Sequence, residues 1–376
     1  MPAQPDAEIQ IPAPPGAQML SMATVAISLV LQAPVMWDVW KAAQAVLTFA
    51  SAADGFEEHL GRWGTHVAIR MGRSPSVVFR PELWRDVREL LRRPWHFVQL
   101  QSPISSAVGR LALPRKRPYP VVYVVHGFAF HADGGRLSNA MYRTVEQALA
   151  GRCDAMMLVS GEDFDEARAG PVGRRTRIYR LPGAGIDVEA FSSAPPERLF
   201  PREALSVLLC AELAPHKNPI AAVEAVLEAR DRGRDVRLVV AGDGVLRPQL
   251  ERYLAYPDAG DWLRHIPFSD RMPALMRGAD VLLSTSSREG LPRVIVEALS
   301  AGLPIVAVAN RGSRELLAGG IGRLVPQMDI GSISEALVTF RREDYPSPAE
   351  MRRVANGYSS KRVAAAYAEA VSEVLR

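Results

Sequence analysis

The sequence predicts an α/β protein made of two Rossmann-like domains facing each other across a cleft. Three observations lead there. The chain has 376 residues, too many for one ordinary core and enough for two of roughly 150–200 residues each. A short apolar strand, a turn and an amphipathic helix recur along it, the signature of a parallel sheet covered by helices. A proline- and charge-rich stretch at 192–202, SSAPPERLFPR, breaks that alternation, which then restarts.

Residues 1–17, MPAQPDAEIQIPAPPGA, are rich in Pro and Ala and are expected to be a disordered tail. The uncharged run at 19–31 lies between Gln18 and Gln32 and is shorter than the about 20 residues a membrane-spanning helix needs. A secretory leader would begin with basic residues, and Asp6 and Glu8 stand there instead. A buried strand is the expected outcome. The first domain, 18–195, then carries strands at 22–31, 66–71, 96–100, 121–125 and 155–159, with helices at 80–92 and 139–150. A strand at 45–50 and a short helix at 55–63 fill the less regular part. In the second domain, 196–360, strands fall at 204–210, 236–241, 263–267, 281–284, 304–308 and 322–325. Helices fall at 219–231, 247–256, 273–277 and 292–300, and a last helix covers 361–375. Ligands of paired parallel sheets sit at the carboxyl ends of the strands.

Apolar content of 48% and charged content of 23% provide a large core without a disulfide or metal staple. Cys153 and Cys210 lie in or beside apolar runs and read as buried reduced thiols of a cytosolic protein. The net charge of +4 is unevenly placed, with twelve Arg and Lys against three acids within residues 61–120. That face suits anionic lipid headgroups or a diphosphate-bearing acceptor, or is simply a solvated arginine-rich surface. Nucleic acid fits poorly, because aromatics do not interleave with the charges.

Three constellations carry chemistry. In SREGLPRVIVEALSAGLPIVA, 287–307, Gly290 lets backbone approach a ligand after Glu289, and Leu291 and Pro292 open a helix, with Pro in its first turn. Free backbone amides and the positive dipole end then face whatever lies beyond the strand at 281–284. Glu297 follows Glu289 by eight residues, roughly 12 Å along a helix, the span from a hexose across a diphosphate to a ribose. Each carboxylate accepts a pair of hydroxyls. In LLCAELAPHKNPIAAVEAV, 208–226, Asn218 is expected to cap the helix begun by Pro219, and Lys217 stands just before it. A cation beside a helix N-terminus forms an anion site. In VVYVVHGFAFHADGG, 121–135, His126 ends an apolar strand at the cleft side and Gly127 leaves room for a ligand; His131 is a weaker candidate.

There is no G-x-G-x-x-G after a strand and no P-loop. No Cys/His spacing suits a metal, so no cofactor and no metal are expected. The acid-x-acid triplet Asp163-Phe164-Asp165 lies in an acidic helix start at 161–168, where acids favour the dipole.

These residues resemble family 4 of the retaining, GT-B-fold glycosyltransferases, and within it the exopolysaccharide and capsule branch. The paired glutamates at 289–297, the lysine at 217 and VVAGDGVL at 239–246 carry the family likeness. AEL-x-x-x-KN at 211–218, HGFAFH at 126–131, YRTVEQALAGRCDAMMLVSGEDFDEA at 142–167 and LPGAGIDVEAF at 181–191 carry the branch, with GRSPS at 72–76 and QSPISSAVGRLA at 101–112. The resemblance covers about residues 66–330. It implies metal-independent transfer of a hexose from a nucleotide diphosphate sugar, a UDP-sugar, with retention, to a polyprenyl-diphosphate-linked or saccharide acceptor. The enzyme would be cytoplasmic, or peripheral on the inner face of the membrane.

By the same resemblance Lys217 and Asn218 hold the donor diphosphate end and Glu297 the ribose hydroxyls. Glu289, with the backbone of Gly290, Leu291 and Pro292, holds the transferred sugar. His126 and Gly127 face that sugar from the first domain, backbone near 266–268 reads the base, and the last helix, 361–376, crosses back to the first domain. Three positions depart from the family. Glu212 stands where an arginine usually shares the diphosphate, Pro267 where glycine is common, and 19–65 match poorly. A non-catalytic GT-B partner subunit and a nucleotide-sugar epimerase on the same fold are the competing readings.

Overall fold

The computed structural model describes residues 11–72, 74–130, 134–326 and 328–376. Arg73, His131 and the first ten residues of the expected tail lie outside them. Residues 11–17 have no regular structure but are tied down, contrary to the expectation of disorder: Ile11 and Ala17 are buried and the Gly16 amide donates to Ala43 O.

Two units divide the chain, Met1–Gly185 with Ser360–Arg376, and Ile186–Ser359. The expected boundary at 195/196 therefore falls inside the second unit, because the helix Val188–Ser193 packs on the helices Met272–Gly278 and Arg293–Ala301 of that unit. The final helix, Ser360–Leu375, belongs to the first unit.

The first unit holds a parallel sheet of β1 (Gln18–Val25), β2 (Val46–Ala52), β3 (Thr65–Ala68), β4 (Phe97–Gln101), β5 (Val121–Val125), β6 (Ala155–Leu158) and β7 (Arg177–Arg180), in the order β3-β2-β1-β4-β5-β6-β7. β4, β5 and β6 are buried along their whole length; β5 and β6 accordingly read as continuous apolar runs, whereas β4 also buries Gln99 and Gln101. The strand expected at 22–31 instead ends at Val25 and gives way to a helix, Ala26–Val30. A second helix, Ala33–Trp40, follows, and its two Val and two Trp residues weaken any helical signal by propensity. Its buried face, with Val35, Met36, Val39 and Trp40, packs against the returning helix Ser360–Leu375, so tertiary burial decides the conformation. The helix Pro103–Ala112 and strand β7 also escaped the sequence pattern.

The second unit holds β8 (Leu205–Cys210), β9 (Val236–Ala241), β10 (Leu263–Ile266), β11 (Val281–Ser284), β12 (Ile305–Val308) and β13 (Arg323–Val325), all parallel, in the order β10-β9-β8-β11-β12-β13. Asp280 fastens the amino end of β11: it takes a forked pair of hydrogen bonds from Arg198, 2.9 and 2.8 Å, and one from the Ser206 amide at 2.8 Å.

In the first unit Arg110, on the helix Pro103–Ala112, is fully buried. Its Nη2 donates to Glu146 at 2.7 Å and its guanidinium lies 4.7 Å over the Tyr123 ring. A buried charge that loses its partner costs far more than the pair itself contributes. Replacing Glu146 by Ala should therefore destabilise the unit by about 3–5 kcal/mol in chemical denaturation, whereas loss of the exposed Arg143–Glu166 pair should cost no more than about 1 kcal/mol.

Candidate active site

Strand order in the second unit reverses between β8 and β11, the place where open α/β sheets receive ligands beyond their carboxyl ends. The loop after β8 brings Lys217 there and the loop after β11 brings Glu289. Their side chains meet, Lys217 Nζ donating to Glu289 Oε1, with 20% and 15% of each left exposed.

The two loops are laced together. Thr285 Oγ1 donates to Lys217 O at 2.8 Å and reaches Asn218 O at 3.0 Å, and the Ser287 amide donates to His216 O at 2.9 Å. Asn218 does precede the helix Pro219–Asp231, but it does not cap it with its side chain, as expected. It adopts a left-handed conformation, φ 48° and ψ 48°, which asparagine tolerates better than most residues. Its amide is thereby aimed across the gap to Thr285 O, 3.2 Å away.

Pro292 also differs from its expected place. It stands at the N-cap, φ −69° and ψ 112°, and the helix begins at Arg293. The Gly290–Leu291–Pro292 turn is backed by Gly312, at which any Cβ would lie 2.3 Å from Pro292 Cδ and 2.6 Å from Gly290 O. Asn310 and Ser313 form a capping box around that glycine, and Asn310 Nδ2 holds Ser286 O at 2.8 Å. Asn310 and Gly312 were not singled out from sequence, although an Asn after a strand with Ser three residues on was a usable signal.

Glu297 projects from the helix Arg293–Ala301 with Arg293 Nη2 at 3.7 Å. Burial holds its carboxyl above the usual carboxylate range, against the pull of Arg293. The Cys210 thiol at the end of β8 is pushed up to about 12, by burial first and the Glu297 charge second, with Lys217 opposing. Burial likewise pushes the Cys153 thiol up to about 11, so both thiols are inert at neutral pH. Burial and then Lys217 hold the half-buried His216 below its usual range. Glu212, in the place of the family's arginine, is exposed.

In the first unit His126 follows β5 directly, and Gly127 takes φ 152°. The Gln32 side chain contacts His126 Nε2, and Gln101 Oε1 lies 3.4 Å from the same nitrogen. Beside the imidazole is a cavity of about 20 Å³ whose polar walls are Gln32, Gln99, His126 and Tyr367, room for one water molecule. Tyr367, from the last helix, donates to Gln99 Oε1 at 2.5 Å. Strand order in this unit reverses between β1 and β4, and there Ser102 is held at φ 60° and ψ 148°, a conformation that strains any residue but glycine. Its hydroxyl meets Thr24 Oγ1 at 2.7 Å and accepts from the Thr24 amide at 3.0 Å. Gln32 and Thr24 lay in a segment without a readable motif, and Ser102 stood within QSPISSAVGRLA without being singled out. Asp163 of the acid-x-acid triplet is buried and takes the Phe128 amide at 3.3 Å, so this carboxylate serves the turn after His126.

The raised Glu297 carboxyl has a thermodynamic consequence. Folding favours its protonated form, so its contribution to stability is largest below the ordinary glutamate range and is lost as pH rises through the folded value. Above the ordinary glutamate range the raised value therefore counts against folding. Glu297→Gln should thus unfold at a higher temperature than the parent at pH 7, with the difference shrinking toward pH 4, as read by thermal denaturation across pH.

The comparisons with known proteins agree with this arrangement of strands and loops. Residues 38–184 match the model of the "Glycosyl transferase 4-like domain" and residues 193–359 that of "Glycosyl transferases group 1". The chain is 32% identical over 286 residues to phosphatidyl-myo-inositol mannosyltransferase of Mycobacterium leprae, covering 73% of this chain and 70% of that one. It is 27% identical over 267 residues to EpsD of Bacillus subtilis, covering 67% and 69%. Among solved structures, Anabaena Alr3699/HepE in complex with UDP and glucose superposes with a TM-score of 0.72 at 17% identity, over 95% of this chain and 100% of that one. The chain belongs to the family 4 glycosyltransferases and has their GT-B fold.

Proposed function

We propose that the enzyme transfers a hexose from a UDP-sugar to a lipid-linked or saccharide acceptor during cell-surface polysaccharide synthesis, with retention of anomeric configuration and without a metal. The observation that carries this reading is the contact of Lys217 with Glu289 at the strand-order reversal of the second unit. A donor diphosphate would draw the ammonium away from Glu289, and that carboxylate would then accept sugar hydroxyls. The amides at the start of the helix Arg293–Ala301 and Lys217 would stabilise the charge that grows on the diphosphate as its bond to the anomeric carbon breaks. The acceptor oxygen bonds to that carbon from the same face, and its proton leaves with the departing diphosphate. Glu297 would hold the ribose, and His126, aligned by Gln32 and Gln101, would contact the sugar from the first unit.

The complexes named for HepE, with UDP, with UDP and glucose, and with UDP-glucose, favour a uridine donor. An Escherichia coli relative, 26% identical over 287 residues, is named for transfer of galactose from UDP-Gal to α-D-GlcNAc-diphosphoundecaprenol, which favours a lipid-linked acceptor. Among the described residues no helix is long and apolar enough to cross a membrane.

Release of UDP from a panel of UDP-sugars, with and without a diphospholipid-linked acceptor, tests the proposal. Lys217→Ala and Glu297→Ala should each lower kcat/KM at least about tenfold, through loss of the diphosphate contact and of the ribose contact respectively, with unfolding still cooperative. Parental rates from both variants would refute the site. Tight UDP binding without turnover on any donor would assign the chain to the partner-subunit class instead.

A further inference from the structure

The second unit has an opening at the amino ends of its strands, opposite the ends that carry Lys217 and Glu289. Arg202 and Glu203 precede β8, Asp280 precedes β11 and Pro304 precedes β12. With the segment that follows the helix Ile330–Val338 they border a cavity of about 750 Å³. Small-molecule sites in proteins fall in that size range, and the transfer reaction does not use this one.

Five arginines line it, Arg202, Arg234, Arg277, Arg341 and Arg342. Helix ends explain part of this gathering. The helices Met272–Gly278, Arg293–Ala301 and Ile330–Val338 all finish at the cavity, and the carbonyl ends of helices attract cations. Arg234 reaches Phe340 O at 3.5 Å, Arg277 donates to Ser192 O, and Arg342 donates to Pro346 O at 3.1 Å. Most of the guanidinium N–H groups are left over. Arg277 Nε is buried without a hydrogen-bond partner among the described residues. The side chains of Arg202 and Arg341 have neither a hydrogen bond nor an ion pair among those residues. Of the acids at the cavity, Asp280 is committed to Arg198 and the Ser206 amide. Glu203 and Glu343 are exposed and have no ion pair among the described residues. Five guanidiniums therefore face two available carboxylates. On a flat surface such a surplus would be screened by water; a concavity focuses it on a bound anion.

We propose that this cavity binds a phosphorylated sugar, at a site separate from that of the donor. Planar guanidiniums take phosphate oxygens in forked pairs, and carboxylates accept sugar hydroxyls. The arginines would hold the phosphoryl group, and Glu203 and Glu343 would hold hydroxyls. An inorganic anion would meet the arginines but leave those two glutamates only to repel it. A nucleotide base would want an apolar slot, and the large apolar side chains at this cavity, Met276, Leu303 and Phe340, are almost wholly buried. The assignment rests on this cavity and not on the transfer chemistry.

Isothermal titration calorimetry of the full chain with glucose 1-phosphate and glucose 6-phosphate tests it without any turnover, so its failure and the failure of the donor chemistry are separable. At least one of the two should bind. Glucose and inorganic phosphate should each bind at least about tenfold more weakly, since each offers only part of the contacts. Arg202→Glu combined with Arg341→Glu should lower the affinity at least about tenfold at an unchanged thermal midpoint, because both side chains are exposed. Lys217→Ala, which alters the donor site, should bind the sugar phosphate as the parent does. Absence of binding by both sugar phosphates, inorganic phosphate bound as tightly as they are, or full retention by the double arginine variant would each overturn the proposal. Loss of binding in Lys217→Ala would overturn it too, by placing the ligand in the donor site.

Discussion

The site in the second unit depends on how two loops are held at one gap in a sheet. β8 and β11 are neighbours, yet the helices that follow them diverge to opposite faces, so the loops leave a space where their strands end. Nothing in that geometry alone would keep Lys217 and Glu289 in contact. Thr285, Asn218 and Ser287 do so, by bonding side chains and amides to the backbone of the opposite loop. The left-handed backbone of Asn218 serves this purpose: a side-chain cap on its own helix would have turned the amide away from Thr285. Local helix stability is given up for a cross-loop tie.

Burial gives the same place its electrostatic character. Lys217 and Glu289 neutralise one another where little water can screen them, which lowers the cost of keeping both charges close. Glu297 is compensated only distantly, by Arg293 at 3.7 Å, and its carboxyl is held up accordingly. Shifted groups at strand ends are candidates for function with a physical reason attached. The strain is distributed between the units as well: the first keeps an unfavourable backbone at Ser102 beside its own strand-order reversal, supported by Thr24.

What the sequence disclosed follows from which forces acted locally. Val121–Val125, Val236–Ala241 and Val281–Ser284 coincide with the expected strands because each is an apolar run closed by a turn, and each is almost wholly buried. The helix Pro219–Asp231 was equally plain from its proline start. Ala33–Trp40 was hidden, since its two Val and two Trp residues favour strands and its helical state is set by packing on the chain's last helix. Lys217, Glu289 and Glu297 stood inside recognisable motifs. Their supports Thr285, Asn310 and Gly312 did not, because hydrogen bonds between loops distant in sequence leave no periodic mark.

His126 illustrates the same divide in the first unit. Its position after β5 was visible in five consecutive apolar residues, but its orientation comes from Gln32, between two helices, and Gln101, at the end of β4. A second layer stands behind them, with Tyr367 of the returning helix fixing Gln99 on the wall of the same small cavity. The last helix therefore acts on this imidazole's surroundings from a point more than 230 residues away in sequence. An imidazole set by two amides, with a tyrosine-held glutamine across a one-water cavity, has few orientations open to it. Such restriction would suit the proposed contact of this imidazole with one sugar hydroxyl, and it gives the returning helix a part in the imidazole's surroundings besides bracing the sheet.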